Sequence, residues 1–375
     1  MKKIIKKLLK MIINILPIRN VIILESAPDL SDNTKPVFDE MIKRGLNKKY
    51  KMIWSMRKLP NDNCLDIKNT EYVAAGSKKM LFYKLTAKCF ICCNDWLCSI
   101  RKGQTSFYLS HGTTIKSLKG YYTIPKSIDY CLSASEDVAF LCENEFLAQK
   151  DKIFSLGFPR NDVLTNANRD LKEFFKDVDF DKIIVWYPTY RQHKNGKTVS
   201  GGSSLPIIHD SEKARILNEC AKENKVLIVL KPHFAQDLSY VKNMELSNIR
   251  FIDDSFFIHN KITSYEFVGS CDALITDYSS IYYDYTLCDK PIALIWEDYE
   301  EYKSSIGFAD GVEDFLKGGE KVYTLEEFKD FVCRVSKGTD LLQNERREVC
   351  NRVNYSTDGK NAQRVVDFII EKAKM

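Results

Sequence analysis

Three common active-site fingerprints are missing from this chain: the G-x-G-x-x-G of a dinucleotide site, the G-x-x-x-x-G-K of a P-loop and the G-x-S-x-G of an esterase elbow. Hydride transfer, nucleotide hydrolysis and esterase chemistry lose support accordingly. Internal repeats and strongly biased stretches are also missing, which sets aside solenoid arrays and disorder. Metal signals are sparse. Cys89 and Cys92 form a C-x-x-C, but no second such pair or histidine pair follows at zinc-site distance. The run KCFICCND places Cys89, Cys92 and Cys93 among apolar neighbours, so buried reduced thiols are expected from the twelve cysteines rather than disulfides. No cluster of carboxylates demands a metal. A loosely held Mg²⁺ stays open as the one candidate cofactor.

What is present fits a globular enzyme. Hydrophobic residues at 44% and charged residues at 29% are ordinary, and 375 residues suit two α/β domains better than one small core. The net charge of +5 is small and unevenly placed, because the first ten residues carry Lys2, Lys3, Lys6, Lys7 and Lys10. In KKIIKKLLKMIINIL these lysines oppose Ile4, Ile5, Leu8, Leu9 and Ile12 at helical period, which predicts an amphipathic helix ending before Pro17. At 1.5 Å per residue it is roughly 24 Å long, too short and too charged to span a bilayer of roughly 30 Å. It is expected to lie on an anionic membrane surface, with a helix packed on its own domain as the alternative. It lacks the apolar core and cleavage site of a signal peptide. Basic residues confined to such a helix, without interleaved aromatics, argue against nucleic acid as a partner.

From Val21 onward, short apolar runs alternate with helical patterns. NVIILES, KMIWSM, EYVAA, KCFICCN and SFYLSHG read as strands of one half, and KIIVWYPTYR, KVLIVLKPH, NIRFID, DALITDYSS and PIALIW as strands of another. The expected division is a surface helix at 1–17, a Rossmann-like domain at 18–175, a second at 176–345 and a terminal segment at 346–375. In parallel sheets ligands bind beyond the carboxyl ends of the strands. Polar groups gather there: His111-Gly112-Thr113, Thr189-Tyr190-Arg191, Lys231-Pro232-His233 and Thr276-Asp277-Tyr278-Ser279-Ser280. Only His111 and His233 of the five histidines stand at strand ends. His111 before a glycine suits a base that must approach a hydroxyl, although a His-Gly pair also serves as an ordinary turn. Arg191, Lys231 and His233 suit a diphosphate, and Thr276, Asp277, Ser279 and Ser280 suit a phosphate at the start of the following helix IYYDYTLC.

SHGTTIKSLKG, GFPRNDVL, YPTYR, KPH and LITDYSSIYYDYTLCDKPIALIWEDYEEY, in this order over roughly half the chain, resemble the successive motifs of the CDP-glycerol glycerophosphotransferase family. That resemblance implies a GT-B type α/β fold, two Rossmann-like domains whose parallel sheets face a central cleft. It implies an N-terminal domain on the acceptor and membrane side, with Gly112 and Thr113 beside the acceptor, and a C-terminal domain holding the CDP donor. The last helix, AQRVVDFIIEKA, would cross back. His111 matches the family's proposed general base and His233 the histidine at the diphosphate. Thr276, Asp277, Ser279 and Ser280 match its donor-side turn.

The implied reaction moves glycerol phosphate, or a related polyol phosphate, from a CDP-alcohol to a lipid-linked or polymer acceptor at the cytoplasmic face of the cell membrane, releasing CMP. Three departures bear on the acceptor: Ser110 stands where the family usually has Trp, Thr114 where it has Pro, and Phe234 follows His233 in place of Pro. Two other readings compete. One is a GT-B glycosyltransferase using a nucleotide sugar. The other is a non-catalytic membrane adaptor on a degenerate transferase fold, against which the presence of both His111 and His233 speaks.

Overall fold

The computed structural model describes residues 15–60, 66–119, 121–189, 205–232, 238–241 and 244–375. The N-terminal amphipathic helix lies outside the described residues except for Ile15 and Leu16. The chain divides into two compact units, the first formed by 1–113, 119–162 and 360–375 and the second by 114–118 and 163–359.

In the first unit the strands are β1 (Arg19–Glu25), β2 (Lys51–Met56), β3 (Thr70–Ala74), β4 (Ala87–Cys92), β5 (Thr105–Tyr108), β6 (Tyr130–Ser133) and β7 (Ile153–Ser155). They pair in parallel in the order β3-β2-β1-β4-β5-β6-β7. The second unit contains β8 (Lys182–Trp186), β9 (Val226–Leu230), β10 (Ile249–Phe251), β11 (Ala273–Thr276), β12 (Ile292–Ile295) and β13 (Glu320–Val322), also parallel, in the order β10-β9-β8-β11-β12-β13. Central strands such as VLIVL and IALI are buried throughout, the near-continuous apolar run of a sheet covered on both faces. Both sheets reverse direction of build once, between β1 and β4 and between β8 and β11. Such a reversal splays the connecting loops apart and opens a crevice at the strand ends. The α/β class with two parallel sheets is therefore as expected. Three strands escaped the sequence reading, β6, β7 and β13, each only three or four residues long.

Helices cover the sheets with faces set by their periodicity. Ser211–Glu223 is capped by Asp210, whose side chain accepts from the Lys213 amide, and buries Ala214, Leu217, Cys220 and Ala221. Leu325–Ser336 starts with a reciprocal capping box between Thr324 and Glu327 and buries Phe328, Phe331, Val332 and Val335. Phe328 meets Trp186 of β8 edge to face at 5.2 Å. Cys89, Cys92 and Cys93 are buried with free thiols whose pKa burial raises, so they act as small core hydrophobes. Among the described residues no helix is long and apolar enough to cross a membrane.

The terminal helix Asn361–Ala373 belongs to the first unit and turns Ala362, Val365, Val366 and Ile369 inward. Its preceding residue, Lys360, supplies no side-chain cap. Asp162 does so instead from 199 residues earlier, its carboxylate accepting from the Asn361 and Ala362 amides at 2.8 Å each. These amides have no partner within the helix, and a carboxylate there also meets the positive end of the helix dipole. Gly157 has φ +78°, and a Cβ there would run into the Asn361 side chain. Asp162→Ala is expected to cost about 1 kcal/mol in chemical denaturation and to speed amide exchange at residues 361–364 before the rest of the helix.

Candidate active site

In the first unit, β5 leads into a turn with two unusual backbone conformations. Ser110 has φ +57° and Gly112 φ +128°, the latter a conformation that a side chain would resist. Asn33, fully buried, donates from its side-chain nitrogen to the carbonyls of Leu109 (3.1 Å) and Ser110 (3.0 Å). Its side-chain oxygen accepts from the Arg160 amide at 3.1 Å. The Arg160 guanidinium bonds Asp32 at 2.8 Å and donates to the His111 carbonyl at 2.9 Å. Backbone carbonyls on both sides of the turn are thus gripped by two side chains from distant parts of the sequence.

The His111 ring is held as well. Its Nδ1 lies 3.4 Å from the Cys93 carbonyl and 3.3 Å from the Tyr108 hydroxyl. A carbonyl only accepts, so the Cys93 contact favours the ring proton on Nδ1, where the Tyr108 oxygen can also accept it. Burial raises the Tyr108 pKa well above the usual tyrosine range, which keeps that hydroxyl neutral. Beneath Cys93 lies Glu25, buried at the end of β1 and accepting from the amides of Cys93 (3.3 Å) and Asn94 (3.0 Å). Burial pushes its pKa up against the amide bonds that lower it, and Arg57 approaches its other oxygen at 3.1 Å. Glu25 thereby fixes the loop whose carbonyl orients His111. Gly112 follows the histidine directly, and Thr113 beside it is buried.

In the second unit the corresponding cluster sits at the β8/β11 reversal. The Asp277 carboxylate accepts from the Thr189 amide at 2.9 and 3.1 Å and from the Tyr278 amide at 2.6 Å, tying the ends of the two strands together. Thr276 is fully buried and donates its hydroxyl to the Tyr187 carbonyl at 2.8 Å, so it braces the strand end instead of presenting a hydroxyl outward. Ser279 and Ser280 are half-buried, and no protein group bonds their hydroxyls among the described residues. The following helix is shorter than expected, Ile281–Tyr285, and Ser280 makes no side-chain cap, because its backbone is already helical. Lys231 leaves β9 with its ammonium 3.1 Å from Asp254 and 6.0 Å from the Tyr187 ring centroid. Arg191 and His233 lie outside the described residues. Among the described residues no three His, Cys, Asp or Glu side chains converge as a metal site.

The structure therefore gathers His111, Gly112 and Thr113 in one unit, and Thr276, Asp277, Ser279, Ser280 and Lys231 at neighbouring strand ends of the other. Sequence reasoning missed Glu25, Asn33 and Arg160. GFPRNDVL stands out as a motif, yet nothing local in it reveals that Arg160 reaches Asp32 and Asp162 a helix end.

Two parallel-sheet units, each with polar strand ends at a topological reversal, define a GT-B type transferase fold. The chain belongs to the CDP-glycerol:poly(glycerophosphate) glycerophosphotransferase family, whose model matches residues 8–371. It is 27% identical to a teichoic acid poly(glycerol phosphate) polymerase of Bacillus spizizenii, over 87% of this chain and 91% of that one. A teichoic acid poly(glycerol phosphate) polymerase of Staphylococcus epidermidis is 25% identical over 92% of this chain, which spans 49% of that longer relative. A teichoic acid glycerol-phosphate primase of Bacillus subtilis is 21% identical over 68% of this chain and 61% of the relative. Among solved structures, a variant of the wall teichoic acid polymerase TagF soaked with CDPG superposes with TM-score 0.73 at 22% identity, covering 95% of this chain and 90% of that one.

The ring geometry yields a direct test. Nitrogen NMR of the neutral protein is expected to show His111 as the Nδ1–H tautomer, and Asn33→Ala is expected to blur that signal by freeing the turn. A wild-type His111 with its proton on Nε2 would contradict the assignment.

Proposed function

We propose that this enzyme transfers glycerol phosphate, or a similar polyol phosphate, from CDP-glycerol to a hydroxyl of a membrane-linked cell-surface polymer or its lipid-linked precursor. The observation that carries the reading is the second sheet. Its strand order is that of a nucleotide-binding Rossmann sheet, and its reversal falls on the Thr189 and Asp277 strand ends, followed by Ser279 and Ser280, whose hydroxyls no protein group bonds among the described residues. The family match supports the choice of donor, and the polymerases and primase named above support the acceptor class.

In this mechanism an acceptor hydroxyl attacks the glycerol-bearing phosphorus in line. A new O–P bond forms, the diphosphate P–O bond breaks, and CMP leaves with the electron pair. Nε2 of His111 takes the hydroxyl proton, with Gly112 and Thr113 on the acceptor side. Arg191, Lys231 and His233 offset charge on the leaving phosphate, Ser279 and Ser280 donate to it, and Thr276 and Asp277 hold the turn that carries them. Such phosphoryl transfer is mainly positioning and electrostatic stabilisation. A Mg²⁺ ion bound with the donor would add charge stabilisation of the same kind.

Peripheral attachment to the cytoplasmic face of the membrane is part of the proposal. It is supported by the lysine and isoleucine pattern before Pro17. It is also supported by the helix Lys78–Thr86, which exposes Leu81 (58%) and Phe82 (39%) beside exposed Lys78 and Lys79.

Incubation with CDP-alcohols and UDP-sugars is expected to release CMP from a CDP-alcohol and no UDP. His111→Ala is expected to cut turnover by roughly two to four orders of magnitude while donor affinity holds. Release of UDP from a sugar nucleotide would transfer the chain to the glycosyltransferase reading. Deleting residues 2–14 is expected to leave a folded enzyme that no longer sediments with anionic vesicles and still uses a short soluble acceptor. Unchanged vesicle binding would place membrane contact elsewhere.

A further inference from the structure

Three residues after His111 the chain enters the second unit, to which Thr114–Leu118 belongs. This short segment is clasped against Gly307–Ala309. The Ser117 amide donates to the Gly307 carbonyl at 3.0 Å, the Ala309 amide donates to the Ile115 carbonyl at 2.9 Å, and Lys116 pairs antiparallel with Phe308. Phe308 packs in turn on Tyr278 (5.7 Å) and Tyr302 (5.7 Å), and Tyr278 stacks on Tyr302 at 3.6 Å while its hydroxyl donates to Asp298 at 2.9 Å. The clasp thus rests on the residue at the centre of the Asp277–Ser280 turn, and it fixes the backbone of Lys116 whatever its side chain does.

The side chain is the anomaly. Lys116 is half-buried, and among the described residues no hydrogen bond or ion pair meets its ammonium. Burial lowers its pKa from the ordinary lysine value, and the one charge that works against this is the Asp277 carboxylate. That carboxylate is already shared with the amides of Thr189 and Tyr278, so it compensates the ammonium only in part. A partly buried cation is disfavoured by desolvation, and that cost falls when an anion binds beside it. Through Phe308 the clasp reaches Tyr278, and among the described residues no protein group bonds the hydroxyls of Ser279 and Ser280 that follow it in the chain.

We infer that Lys116 is a phosphate-binding residue of the donor site, closing with Ser279 and Ser280 on the diphosphate of a nucleoside diphosphate. The inference rests on the reading of the second unit as the donor side and adds a residue to it. A point charge with three rotatable donors suits a group whose charge moves during the reaction.

The test is calorimetric titration of the full chain with CDP and with UDP, using wild type, Lys116→Met and Lys116→Arg, with thermal unfolding to confirm that each variant folds. Lys116→Met is expected to weaken binding of the preferred nucleoside diphosphate roughly 10- to 100-fold, and Lys116→Arg to restore most of it. Because a bound anion raises the lysine pKa back toward its ordinary value, wild type should also take up protons on binding at alkaline pH, as read from the heat in buffers of different ionisation enthalpy. Lys116→Met should not. Equal affinity and equal proton uptake in wild type and Lys116→Met would overturn the inference, as would failure of both nucleotides to bind wild type. Preference for UDP with the Lys116 dependence intact would instead sink the CDP-donor reading and leave Lys116 in place.

Discussion

The first unit depends on one polar hub, the turn from Gly157 to Asp162. Arg160 grips the His111 carbonyl and Asp32, its amide holds Asn33, and Asp162 takes the first two amides of the terminal helix. Four separate stretches of sequence meet there through hydrogen bonds that are largely shielded from water. In that setting each unmade bond costs the full desolvation of its group, so the hub is satisfied as a whole or destabilising as a whole. The position of His111 is a consequence of this arrangement. Its turn contains two residues at positive φ, and backbone of that kind persists only where its surroundings over-determine it.

Asp277 performs the equivalent task in the second unit with fewer parts. A single carboxylate spans the β8/β11 reversal by accepting three amide hydrogen bonds, while Thr276 locks the same strand ends from the buried side. The division of labour within TDYSS follows the passage from the end of β11 at Thr276 to the helix that starts at Ile281. Thr276 and Asp277 bond backbone groups, and among the described residues no protein group bonds the hydroxyls of Ser279 and Ser280. A reaction that stabilises charge by fixed donors needs both kinds: groups that hold the backbone rigid and groups left free to bind.

How much of this was legible in the sequence depended on the range of the interaction. Strands of five to seven residues such as RNVIILE, KMIWSM and VLIVL declare themselves by composition. Ile153–Ser155 and Glu320–Val322 do not, because three residues carry no period and are strands only by virtue of a neighbour. The strand-end rule found His111 and the Asp277 turn. It did not find Asn33, Arg160 or Glu25, since their partners lie tens of residues or more away in sequence. Lys116 was invisible for a related reason. A lysine in a polar loop reads as solvated, and the clasp that fixes its backbone joins it to Gly307–Ala309, far away in sequence.

The two departures beside the His-Gly pair acquire a physical meaning from the same geometry. Where the family usually has Trp, Ser110 takes a left-handed conformation and donates its hydroxyl to the Gly112 carbonyl at 3.3 Å. Where it usually has Pro, Thr114 donates to the Lys116 carbonyl at 2.6 Å. Each closes a local turn of the kind short hydroxyl side chains form with the backbone two residues on. Proline restricts its own φ covalently, and Thr114 restrains the same stretch of chain by a hydrogen bond. The bulk of a tryptophan is replaced by a small side chain turned back onto its own backbone. The local bracing of the His111 turn and of the Lys116 backbone is thereby retained, while the side-chain volume beside the histidine is smaller than a tryptophan's.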